Sequence, residues 1–162
     1  MRLATITLPG RGETDRLLAA VVARLQAQGV ALAGAVQFNL DCGDACEMEV
    51  QVLPDGPVIG ISQSLGPGSQ GCRLDAGALE TAVAEVAARM AGARLLIVNK
   101  FGKHEAEGRG FRGLIGSALE AGLPVLIGVN AMNMKSFQAF AGDMAEPLAP
   151  AELETWLAEV LA

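Results

Sequence analysis

At 162 residues the chain is long enough for one domain with a sizeable core, and no apolar run reaches the length needed to cross a bilayer. A formal charge of −6, no Tyr and one Trp argue against general nucleic-acid binding, which needs basic surface and stacking platforms. With no basic segment leading into a long apolar run at the N-terminus, the expectation is a cytoplasmic protein that binds neither nucleic acid nor membrane.

In chain order, Arg2 to Leu8 predicts a first strand, closed by Pro9-Gly10. Asp15 to Gln28 puts Leu17, Leu18, Val21, Val22 and Leu25 on one face of a helix, which Gly29 stops. Ala31 to Phe38 is a second strand. Glu47 to Leu53 alternates apolar and polar residues, the period of a half-exposed strand. Pro54-Asp55-Gly56-Pro57 turns the chain, and Val58 to Ser62 returns as the other arm of a hairpin.

A glycine-rich loop follows from Ser64 to Arg73, and Asp75 opens a helix to about Met90. Then come a strand at Arg94–Val98, a helix at Phe111–Ala121 and a strand at Leu123–Val129. Helices at Ser136–Phe140 and Ala151–Leu161 follow. Alternation at these spacings predicts an α/β fold over residues 1–162 as one domain. Its sheet is mostly parallel, covered by helices on both faces, with an added antiparallel hairpin.

Ligands of such sheets bind beyond the carboxyl ends of the strands, which directs attention to two loops. The strict phosphate-loop pattern GxxxxGK[ST] falls on Thr7 to Thr14, where Gly12 and Thr14 match while Thr7 replaces a Gly and Glu13 the Lys. A carboxylate there reverses the Coulomb term toward phosphate, a change of several kcal/mol in order of magnitude. One reading keeps Gly10, Gly12 and Thr14 as an anion cradle at a helix N-terminus. The other is an ordinary strand-to-helix turn with Thr14 as N-cap.

The second loop is basic. Lys100, Lys103, Arg109 and Arg112, with Arg73 and the backbone near Gly68 and Ser69, offer donors suited to phosphate, molybdate or another oxyanion. The alternative is a solvated charge run in which Glu105 and Glu107 pair with Lys103, Arg109 and Arg112. Cys42, Cys46 and Cys72 could form a soft-metal site, although CxxxC lacks the spacing of structural zinc, and unligated thiols are the favoured reading. His104, the only histidine, is expected to be an exposed loop residue.

The order Pro9-Gly10-Arg11-Gly12-Glu13-Thr14, a helix, then Gly29 to Gln37 is similar to the thermophilic-type nucleoside triphosphatases of the P-loop class. Their loop reads Pro-Gly-x-Gly-Lys-Thr and a later strand ends Asp-Glu-x-Gly-x-x-Glu. Here Asn99-Lys100-Phe101-Gly102-Lys103-His104-Glu105 keeps Gly102 and Glu105 but has Asn99 for Asp and Lys100 for Glu. More closely, the whole chain resembles a bacterial domain-of-unknown-function family, number 2478. The resemblance runs through Ser62–Ser69, Gly71-Cys72-Arg73-Leu74-Asp75, Asn99–Lys103 and Glu105–Arg112. It implies a P-loop NTPase-like three-layer fold with degenerate nucleotide-binding motifs, linked to molybdenum uptake.

The two exchanged charges suggest a local ion pair between Glu13 and Lys100 across one rim. Three functions follow as expectations. The first is a non-hydrolysing protein that binds a small anion, molybdate or another oxyanion. The second is a nucleoside triphosphatase acting on a Mg-nucleotide, with Lys100 or Lys103 replacing the loop lysine and Glu105 positioning water. The third is a regulatory or assembly partner, as a homo-oligomer or with another protein.

Overall fold

The computed structural model describes residues 2–10, 12–37, 48–63 and 73–162. Among them a seven-stranded sheet runs in the order β4-β3-β2-β7-β8-β1-β9. Its strands are β1 (Leu3–Ile6), β2 (Leu32–Gln37), β3 (Glu49–Leu53), β4 (Val58–Gly60), β7 (Leu95–Val98), β8 (Val125–Gly128) and β9 (Ala145–Leu148). β2, β7, β8, β1 and β9 are mutually parallel, whereas β3 and β4 join antiparallel at one edge.

Leu95-Leu96-Ile97-Val98 is buried on both sides, as a central parallel strand requires. Its residues alternate between two cores. Leu95 and Ile97 face α1 (Glu13–Ala27) and α6 (Pro150–Val160), packing with Leu18, Val22, Leu153 and Trp156. Leu96 and Val98 face α2 (Ala76–Ala87), α4 (Arg112–Glu120) and α5 (Met134–Ala141), packing with Val86, Ile115 and Phe137. Each such side chain contributes about 1.5–3 kcal/mol by burial. Sheet and two helical layers give the expected three-layer α/β arrangement.

Three local expectations are corrected. The returning hairpin arm stops at Gly60; Ser62–Gln63 (β5) leaves the sheet to pair antiparallel with Arg73–Leu74 (β6). A four-residue helix, α3 (Lys103–Ala106), lies inside the run read as a loop. The strand β9 went unread because Ala145-Glu146-Pro147-Leu148 has neither an apolar run nor alternation. It lies at the edge beside β1, where a proline is tolerated.

Arg2 stitches this edge together. Its guanidinium reaches Glu146 of β9 at 2.7 Å and Glu159 of α6 at 3.1 Å, and lies 5.9 Å from the Trp156 ring centroid. No helix among the described residues is long and apolar enough to cross a membrane.

Candidate functional site

The strand order sets β8 between β7 and β1, so their C-terminal ends form one continuous rim. Hydrogen bonds fasten it. The Val129 N–H donates to Ile6 O at 3.1 Å, the Phe101 N–H to Gly128 O at 2.9 Å, and the Thr7 hydroxyl donates to the Val129 carbonyl. Gly128 is required here by close approach, since a Cβ would lie 2.3 Å from Asn99 O and 3.1 Å from Thr14 Cγ2.

The first loop leads from β1 into α1. Gly12 caps α1 in the left-handed region, φ 77° and ψ 0°, a conformation that favours glycine. The positive end of the α1 dipole lies here. Gly12, not Thr14, is therefore the N-cap; the Thr14 hydroxyl accepts the Leu8 N–H at 3.0 Å. Glu13 is exposed and bonded to Arg16 at 2.7 Å, one turn on. The expected Glu13–Lys100 pair is thus replaced by a pair within α1.

It is Asp15 that feels Lys100. This half-buried carboxyl is raised above the ordinary aspartate value, mainly by desolvation. A hydrogen bond with Asn99 and the charges of Lys100 and Arg16 oppose that rise. Asn99 is itself buried: its Oδ1 accepts the Gln37 N–H at 3.1 Å, and its Nδ2 donates to Gln37 Oε1 at 3.4 Å. One amide thereby connects the ends of β2 and β7 with the start of α1.

The second loop folds its acid inward. Glu105, 4% exposed, accepts the Gly102 N–H at 2.8 Å through Oε1 and the Phe111 N–H at 3.2 Å through Oε2. Gly110 (φ 61°) makes room, because a Cβ would fall 1.8 Å from Glu105 Oε2. From α2, Glu80 Oε1 accepts the Gly110 N–H at 2.8 Å. Beneath the loop, Phe101 is fully buried, with ring centroids 5.2 Å from Phe137 and 5.5 Å from Phe140.

The sequence alone matches the family described as protein of unknown function (DUF2478) across residues 3–156. The chain belongs to this family. A Bradyrhizobium diazoefficiens relative, the molybdenum import ATP-binding protein ModC 2, is 36% identical over 150 residues. The match covers 91% of the chain but 17% of that relative, so the chain spans only a small part of its length. Two solved structures share the fold. THEP1 from Aquifex aeolicus has a TM-score of 0.66 at 17% identity, with 99% of this chain and 96% of that one covered. A human cancer-related nucleoside triphosphatase has a TM-score of 0.65 at 16% identity and the same coverages. The fold is P-loop NTPase-like.

In this DUF2478 chain Lys100 is an exposed cation whose stem passes beside Gly102 and whose charge reaches Asp15 in the first turn of α1. The other expected basic residues lie on the following segment. Lys103 is exposed on α3, and Arg109 is bonded to Glu107. The Arg112 guanidinium lies 5.2 Å from the Phe140 ring centroid, a cation–π arrangement. The Arg109 hydrogen bond, more than the nearby charges of Arg109, Lys103 and His104, holds the Glu107 carboxyl below its usual range.

His104 corrects an expectation, being 8% exposed rather than a surface residue. Glu105 likewise pairs with backbone N–H groups, not with the cations of its own run. Arg73 forms part of β6. Gly68, Ser69, Cys42, Cys46 and Cys72 lie outside the described residues. Among the described residues no group of three His, Cys, Asp or Glu side chains could hold a metal ion.

Sequence reasoning missed Asp15, Gln37 and Glu80. Asp15 was legible in part, since it follows Thr14 directly in the first turn of a helix. Gln37 and Glu80 carried no local signal, because their roles depend on how β2 and α2 lie against the later loop.

Proposed function

We propose that this chain is a non-hydrolysing binding protein for a small oxyanion, seated on the rim between Gly10–Thr14 and Lys100, and that it serves molybdenum import. The observation that carries this reading is the divided fate of the rim. Gly12 caps α1 in the left-handed conformation at a helix N-terminus, a setting suited to an anion, and Lys100 supplies an exposed positive charge whose effect reaches Asp15. The residue available to orient a hydrolytic water, Glu105, has both oxygens committed to backbone N–H groups. Asn99, in place of an acid that would help organise Mg²⁺, is engaged with Gln37. Molybdate is favoured among oxyanions by the likeness to a relative named for molybdenum import.

The competing reading is a nucleoside triphosphatase that uses Lys100 or Lys103, favoured by the activity named for a fold neighbour. Calorimetric titration with molybdate, inorganic phosphate and Mg-ATP, run beside a phosphate-release assay, separates the two. The expected outcome is molybdate binding without phosphate release, weakened about tenfold or more by Lys100→Ala, the loss of one charge-assisted contact. Mg-dependent phosphate release that disappears in Lys100→Ala would establish the enzyme instead. Glu13→Lys sharpens the result: if it creates nucleotide affinity, the loop geometry is intact and charge alone was altered.

A further inference from the structure

His104 is the one histidine of the chain, and the proposed anion site makes no use of it. It is buried on α3, and its Nε2 makes no hydrogen bond. Across from that nitrogen stands Glu80 Oε1 of α2, 3.4 Å away. The same oxygen accepts the Gly110 N–H at 2.8 Å. One carboxylate therefore faces the 102–111 segment at two points, an amide whose donor is permanent and an imidazole whose charge depends on pH.

The other charged groups around His104 are few. On its own segment stand Lys103, Glu105 and Glu107, with Glu105 turned into the Gly102 and Phe111 amides. The Arg109 N–H donates to His104 O at 3.0 Å, and the Arg109 side chain is held by Glu107. From α5, which packs against α3, the charged residue is Lys135, and it is exposed. Glu80 is the acid that faces the ring from a different element.

We propose that His104 and Glu80 form a proton-operated latch fastening the α3–α4 segment to α2. In the structure the contact at Nε2 is not a formed hydrogen bond and one buried nitrogen lacks a partner. With a proton taken from solvent, Nε2–H donates a charge-assisted bond to the Glu80 carboxylate. The segment carrying Lys103 and Arg109 is then held more firmly in mild acid than at alkaline pH. The latch does not depend on what the rim binds.

The test is a double-mutant cycle of Glu80→Gln and His104→Gln, read by urea unfolding at about pH 5.5 and about pH 8. Glutamine at position 80 keeps an acceptor for Gly110 and removes only the charge. At the acid pH the two replacements are expected to be non-additive by roughly three- to tenfold in the unfolding equilibrium constant. At the alkaline pH they should add. In parallel, hydrogen-exchange protection of the Gly110 and Phe111 amides, corrected for intrinsic rates, should rise on acidification in the native chain and stay level in Glu80→Gln. Additivity at both pH values, or equal non-additivity at both, overturns the latch. If His104→Gln does not fold, a rise in protection in Glu80→Gln equal to that of the native chain overturns it.

Discussion

The loops after β1 and β7 solve opposite problems with the same residue type. In the first, Glu13 and Asp15 stand in the opening turn of α1, where the dipole welcomes them, one exposed and one half-buried. In the second, Glu105 is withdrawn from water and bonded to two backbone N–H groups. The carboxylates of the first loop tune charge, whereas the carboxylate of the second holds a shape. Position relative to free backbone donors, not residue identity, decides which.

Breaking the second loop should have the largest effect. Glu105→Ala leaves two N–H groups without their acceptor and is expected to cost about 2–5 kcal/mol, lowering Tm by roughly 5–15 °C. Glu13→Ala in the first loop should stay within about 0.5 kcal/mol, because its partner is an exposed arginine one turn away. Urea unfolding of the two variants tests the contrast directly, and equal losses would remove it. Gly110→Ala comes next, at about 2–4 kcal/mol. It combines a left-handed backbone with a Cβ in the space of Glu105 Oε2, and the same denaturation series reads it.

The smallest expected effect is in the first loop and depends on pH. Asp15 is raised in the folded state, chiefly by desolvation, so the folded chain holds this proton more tightly than the unfolded one. Its contribution is most favourable below the ordinary aspartate value and is lost as pH rises through the raised one. Asp15→Asn should therefore raise Tm at neutral pH by roughly 1–2 °C, a small shift because the group is partly solvated. The gain should vanish in acid. A melting series across pH checks both the sign and its disappearance.

Much of the fold was legible because its central strands are short apolar runs between glycine stops, as at Leu95–Val98 and Val125–Gly128. β9 was not, since an edge strand needs little apolar character and Ala145-Glu146-Pro147-Leu148 shows almost none. At the site, the glycines of the first loop and the exposed Lys100 stood in the sequence pattern. The burial of His104 and Glu105 did not. Both sit in a run of charges that reads as solvated, and the partners of Glu105 are amides of Gly102 and Phe111, groups that every sequence contains. The Glu13–Lys100 pairing failed for a related reason: helical spacing put Arg16 within closer reach.

The contact of Arg2 with Glu159 has an architectural consequence. The first strand and the last helix meet through one guanidinium, so the chain enters and leaves this fold at neighbouring points. A unit of that kind can be spliced into a longer polypeptide with short connectors and little distortion of its host. Circular permutation joining the two ends should be correspondingly well tolerated.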